Sequence, residues 1–425
     1  MVSEVISVPP LASTCRRKRD PEAFVIATAL ISILASIVGC TSQLPNAVFD
    51  NSVSLSGSIV VSTTNFFATD NTHNLVTPLG TLGCGPEGGS GGDPDVQYDP
   101  GTDMWFYTQL YGDATTHLTL AQGSTPLTPL RCYHFGSEFF QVGTPPQTAG
   151  DQPRLDVTAN KVSITQQISF NSATVTLVIN KDDVLAGVSS PHTQSITHNE
   201  NYWPARSVDP TTTQLYLVTD TNPECFDIRV KVITGVPGHG DVSANNVNVT
   251  TPWNMCATPV PRPTDPSGTP LRDTSDLVAV VSNGSMWVVL TLPDGGLGFV
   301  QVRQLNPFFP NMYQGVRVAS PFGVAACPTI GVTPAEDVLI GFSSMSSTHF
   351  LSAFATGRKH TDAYDRLRTP SLVKEGVGPT SGQVRMDYCG RGTFDVSGNT
   401  AVAIAEFQSG NNTVPMLIQA NPVNF

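Results

Sequence analysis

The chain has 425 residues, among them 36 glycines and 34 prolines, and only 13% are charged, about half the charged share of an ordinary soluble domain. Turn formers in excess over charges exclude a helical bundle or coiled coil and fit a turn-rich β protein, while 40% hydrophobic residues supply a sizeable core. A formal net charge of −12 opposes capture of a phosphate backbone, so nucleic acid is not an expected partner.

The first forty residues read as an address. Arg16, Arg17, Lys18 and Arg19 form a basic cluster, and after Asp20-Pro21-Glu22 the run Ala23 to Val38 carries no charge, the layout of an export signal. The run is shorter than the roughly 20 residues a spanning helix needs, so a cleaved signal and an uncleaved hydrophobic anchor helix both stay open. Ile37-Val38-Gly39-Cys40 has the form of a bacterial lipobox, which would make Cys40 the lipidated residue and the membrane attachment. Each alternative sends the rest of the chain out of the cytoplasm, to the cell envelope or beyond. Residues 41–84 read as a linker with a closing strand near Val53–Thr63, and 85–425 as the folded body.

Beyond the address, Cys84, Cys132, Cys225, Cys256, Cys327 and Cys389 make an even six, which fits disulfides in an oxidising compartment. Sequence neighbours pair as Cys84 with Cys132, Cys225 with Cys256 and Cys327 with Cys389, but six cysteines allow fifteen connectivities and spacing does not choose. Asn248, Asn283 and Asn411 head glycosylation sequons, meaningful only in a eukaryotic host.

The body carries a repeat, each unit being two short apolar runs split by a turn. In chain order the second runs begin near Trp105, Val162, Leu215, Trp287, Val338 and Val402, at intervals of 51 to 72 residues. Period-2 alternation with a turn between predicts paired antiparallel strands. Ala173–Asn180 and Phe226–Ile233 supply further strands, so four per unit matches a propeller blade. The expectation is an all-β, six-bladed propeller, with a seventh blade if Val53–Thr63 contributes; two β-sandwiches are the competing architecture. The Pro/Thr/Asp segment 258–276 interrupts the repeat as an inserted loop, where binding specificity tends to sit.

Gly92-Asp93-Pro94-Asp95-Val96-Gln97-Tyr98-Asp99, Asp151-Gln152-Pro153-Arg154-Leu155-Asp156-Val157, Ala355-Thr356-Gly357-Arg358 and Val384-Arg385-Met386-Asp387-Tyr388 resemble segments of exported bacterial propeller proteins with a sialidase-like fold. The resemblance spans roughly residues 85–405. It implies inner strands that begin at a shared axial surface, with Asp93, Asp151 and Arg385 near it. By the same resemblance, Arg154, Arg358 and Arg385 would clamp a substrate carboxylate, Tyr388 would be the nucleophile, and Asp93 or Asp151 the acid. The planar guanidinium fork suits that clamp. The chain lacks an Arg-Ile-Pro in the first blade and a clean Ser-x-Asp-x-Gly-x-Thr-Trp box, which counts against sialidase chemistry.

Asp93, Asp95, Asp99 and Asp103 crowd one turn and could hold a hard cation such as calcium; the competing reading is that Asp99 and Asp103 cap backbone amides. No other cofactor is expected. Phe308, Phe309 and Tyr313 form an aromatic loop able to stack on a sugar ring or to pack over a blade edge. The sequence therefore points to a monomeric, membrane-tethered propeller that binds a glycan or protein ligand, with a sialidase-like glycosidase and a structural envelope component as rivals.

Overall fold

The computed structural model describes residues 4–7, 57–61, 66–70, 75–78 and 91–420, the last with gaps at 112–114, 124–128, 142–149, 169–172, 223–226, 250–263, 269–276, 293, 304–310, 364, 379–392, 395–400 and 410–411. The strands run in chain order. β1 (Glu4–Ser7) comes first, and β2 (Gly57–Val61), β3 (Phe66–Asp70) and β4 (Leu75–Pro78) make a three-stranded antiparallel sheet within the segment read as a linker. Four-stranded sheets follow. The first is β5 (Gly91–Asp99), β6 (Met104–Tyr111), β7 (Thr116–Gln122) and β8 (Pro129–Phe135). The second is β9 (Gly150–Val157), β10 (Lys161–Ile168), β11 (Ala173–Asn180) and β12 (Thr193–His198). The third is β13 (Trp203–Ser207), β14 (Leu215–Asn222), β15 (Asp227–Thr234) and β16 (Ser243–Val249). The fourth is β17 (Leu277–Ser282), β18 (Ser285–Thr291), β19 (Leu297–Arg303) and β20 (Asn311–Val318), and the fifth β21 (Val324–Val332), β22 (Val338–Ser346), β23 (His349–Arg358) and β24 (Ser371–Lys374). Last come β25 (Thr393–Phe394), β26 (Ala401–Ser409) and β27 (Asn412–Ala420), which β1 joins by pairing parallel to β27.

Each of the five complete sheets is an up-and-down meander, and the cores lie between sheets rather than inside one. The fourth meander shows how the sequence does this. Leu277, Ala279, Val281, Met286, Val288 and Leu290 face a core shared with Ala205, Val218, Ile228 and Val230 of the third meander. Their alternates Val278, Val280, Trp287 and Val289 face the opposite core, with Ile330, Val338, Ile340 and Phe342 of the fifth. The same sharing joins the first meander to the second and the second to the third. Period-2 strands buried on both faces read as unbroken apolar runs, and consecutive meanders stacked face to face are the blade packing of a propeller. The two-sandwich alternative, which needs cores closed within each half, does not fit this relay.

The first strands of the meanders also touch. Asp95 of β5 accepts from Leu155 N of β9 (2.8 Å) and from Arg206 Nη2 of β13 (2.8 Å). Two residues on, the Gln97 amide donates to the carbonyls of Val157 (3.1 Å) and Ser207 (2.8 Å) and accepts from Val157 N (3.0 Å). Asp156 of β9 accepts from Ser207 N (2.8 Å). Between β13 and β17 no side-chain spacer is used: Arg206 and Ser207 pair in parallel with Val280 and Val281, fusing two meanders into one eight-stranded sheet. These shared rungs fix β5, β9, β13 and β17 side by side, running the same way.

Among the described residues one short α-helix, α1 (Lys181–Ala186), interrupts the β pattern after β11, besides a 3-10 turn at Ser137–Phe140. Asn180 caps it by accepting from Asp182 N (3.0 Å) and Asp183 N (3.4 Å), and Gly187 ends it at φ 78°, the left-handed position glycine adopts without strain.

Candidate functional site

Three of the expected site residues, Asp93, Asp151 and Arg154, fall in the β5 and β9 segments around the Asp95 rung. β9 and β13 begin upstream of the Asp95 rung, and there the Arg154 guanidinium lies over the ring of Trp203, its carbon 4.1 Å from the centroid. Arg154 is buried and Trp203 half-buried, so a cation is stacked on an aromatic face that still meets solvent. Such stacking contributes about 0.5–2 kcal/mol, more as it is desolvated. Trp203 opens β13, standing opposite Val218 in the ladder with β14, and Pro204, which cannot donate to a ladder, precedes the rung residues Arg206 and Ser207. Sequence reasoning passed over Trp203; the signal available was a tryptophan directly before a proline at the start of an inner strand.

Asp93 and Asp151 occupy the leading halves of β5 and β9, at the same end as Arg154. Arg358 does not join them. It ends β23, paired with Val338, which in turn pairs with Val332 at the trailing end of β21. Its guanidinium holds the local turn, donating to the carbonyls of Lys359 (3.2 Å) and Asp362 (3.0 Å). A shared Arg154–Arg358 clamp therefore meets the length of a strand. Arg385, Tyr388, Phe308 and Phe309 lie outside the described residues, and Tyr313 is placed only as a residue of β20.

The acidic turn is divided among different partners. Asp95 is held by Arg206 and by the Val96 and Leu155 amides. The Asp99 carboxylate pairs with Lys181 Nζ (2.6 Å), both buried, and accepts from Gly101 N (3.2 Å) and from the Thr102 hydroxyl. Asp103, at φ 52°, accepts from the Tyr98 hydroxyl (2.7 Å). Among the described residues no group of three or more His, Cys, Asp or Glu converges to hold a metal ion. Of the four acids expected to hold calcium, Asp95 and Asp99 are engaged in ion pairs and Asp103 in a turn, while the side chain of Asp93 lies outside the described ones.

A second polar cluster sits between the second and third meanders. Lys231 Nζ lies 2.9 Å from His198 Nδ1 and 4.1 Å from the centroid of Tyr202. His198 Nε2 is 2.9 Å from the Thr176 hydroxyl, itself 2.9 Å from that of Thr165. Burial, with the nearby Lys231 charge, pushes His198 down to about 3, so the ring is neutral. Burial raises the Tyr202 phenol to about 12, with Glu200 adding to the rise. Nothing in the sequence marked these residues, because Arg229 and Lys231 alternate along β15 as an ordinary solvent face does.

Cys132 and Cys327 are both disulfide-bonded; Cys40, Cys84, Cys225, Cys256 and Cys389 lie outside the described residues, as do the apolar run 23–38 and most of 258–276. Among the described residues no helix is long and apolar enough to cross a membrane.

No family profile matches the chain, and no curated protein matches it in sequence. Among solved structures it is similar to the WD40 domain of SCAP from fission yeast, at 9% identity and a TM-score of 0.42 over 90% of this chain and 88% of that one. It is also similar to a variant of Synechocystis apocarotenoid oxygenase, at 10% identity and 0.41 over 77% and 74%. Prolyl oligopeptidase B from Galerina marginata aligns at 11% identity and 0.41 over 87% of this chain, which spans 45% of that longer protein.

Proposed function

We propose that the chain is an exported, membrane-tethered β-propeller of six or seven blades that binds a glycan at the leading ends of its inner strands. The observation that carries this reading is the Arg154–Trp203 stack. A half-exposed indole offers a flat apolar surface to the C–H face of a sugar ring, and the guanidinium stacked on its other side holds the ring in place. The supporting observation is that Asp95, Gln97, Asp156 and Arg206 are spent on rungs between strands, which leaves the inner layer as a stiff support rather than a reacting centre.

The test is a titration of the full chain with neutral and sialylated oligosaccharides, read by tryptophan fluorescence and by thermal shift, with turnover assayed in parallel. Trp105 and Trp287 are fully buried and Trp253 is kept in every variant, so a ligand-dependent quench that disappears in Trp203→Phe reports the proposed surface. Binding is expected to fall at least tenfold in Trp203→Ala. Absence of any Trp203-dependent response to the panel would sink the reading, and turnover would reassign the protein to the glycosidases.

A further inference from the structure

We propose that the outer edge of β27 is a strand-binding surface that β1 fills only in a chain that has not been exported, so that docking of β1 and export exclude each other; this rests on the exported state proposed above. Glu4, Val5, Ile6 and Ser7 pair in parallel with Met416, Leu417, Ile418 and Gln419, and the last sheet runs β1-β27-β26-β25. β1 is thus an edge strand, and it brings that sheet to the four strands of each complete meander. Without it, the outer edge of β27 presents a row of unpaired N–H and C=O groups, the kind of template onto which an extended segment adds.

Order along the chain makes the exclusion. β1 precedes the basic cluster 16–19 and the apolar run 23–38, while β27 follows both. In a chain whose apolar run crosses a membrane, the cations stay on the inner side and hold β1 there, while β27 is outside. Bringing β1 across would draw Arg16, Arg17, Lys18 and Arg19 through hydrocarbon, where an unpaired cation is costly. In a chain cut before Cys40, β1 leaves with the removed segment. A backbone ladder needs its strands about 4.8 Å apart, on one side of the bilayer and in one molecule or a bound pair. Neither exported form meets that condition, so export leaves the β27 edge open to a segment of the same chemistry as β1.

The experiment makes the full chain in two ways, by cell-free synthesis without membranes and by expression in a bacterial host with recovery from the cell envelope. A synthetic peptide of residues 1–9, with photo-crosslinking benzoylphenylalanine in place of Ile6, is added to each, and mass spectrometry maps the crosslink after irradiation. The envelope chain is expected to be labelled within 412–420, and the membrane-free chain several-fold less, because its own β1 holds the edge. Of two adjacent residues in an edge strand one directs its N–H to the neighbouring strand, so Val5→Pro with Ile6→Pro removes a rung. In the membrane-free chain that pair of substitutions should raise labelling to the envelope level, whereas Ala12→Pro with Ser13→Pro, outside β1, should not. Equal labelling of the natural and the Val5→Pro, Ile6→Pro membrane-free chains, or an envelope chain unlabelled at 412–420, would overturn the proposal. Absence of the chain from the envelope would sink the export reading and the exclusion with it, and the membrane-free pair would then show separately whether β1 holds the edge.

Discussion

At the scale of single residues, the buried charges make the sharpest demands. His198 titrates near 6.5 in an unfolded chain and at about 3 in the folded one, through burial first and the Lys231 charge second. Between those values the unfolded chain binds the extra proton, so stability present above pH 6.5 is lost as the pH falls toward 3. The loss amounts to about 5 kcal/mol at most. Melting temperature measured from pH 7 to 4 should fall more steeply for the natural chain than for His198→Gln, which can still bond Thr176 and does not charge. The Asp95–Arg206 pair is buried on both sides; removing one member strands the other without water. Asp95→Ala is expected to cost about 3–5 kcal/mol by denaturant unfolding, and Asp95→Ala with Arg206→Met less than Asp95→Ala alone. These two residues also mark a limit on reading the sequence. Asp95 was legible as an acid in an acidic turn, but its partner stands 111 positions away, and only the topology brings them together.

At the scale of elements, the turns were the readable part. Ser282-Asn283-Gly284-Ser285 separates two apolar runs, and the structure closes it as a two-residue hairpin with Asn283 at φ 49° and Gly284 at φ 70°, the conformation such a pair favours. A Cβ at Gly284 meets nothing within 4 Å, whereas at Gly235, φ 83°, it would fall 2.3 Å from the Asp241 carbonyl oxygen. Gly284→Ala should therefore cost about 1 kcal/mol, and Gly235→Ala clearly more in the same denaturation series. What the sequence hid was helix α1: six residues of ordinary propensity, held by the Asn180 cap and the Lys181–Asp99 pair, are too short to register against a β background. Trp203 was hidden for a different reason, since one tryptophan carries no period.

At the scale of the whole molecule, the repeat was legible because each unit must present two apolar faces to two neighbours, which writes the same short runs again and again. The position of Arg358 was not, because four antiparallel strands look alike in sequence and only pairing shows which end of a strand is which. Shared cores also predict how the molecule melts. Deleting residues 324–374 would expose the Val278, Val280, Trp287 and Val289 face of the fourth meander. Calorimetry is expected to give one cooperative transition for the natural chain and a broadened or absent one for the deletion.

The joints between meanders are of two kinds, and the difference governs how such a protein can change over time. Where Asp95, Gln97 and Asp156 span the gap, two sheets are buttoned together by a few side chains, and a new sheet could be spliced in if it carried matching buttons. Where β13 and β17 share a backbone ladder, there is no seam to open. The third and fourth meanders are thus one indivisible panel, to be duplicated, lost or transplanted together, while their neighbours can be exchanged one at a time.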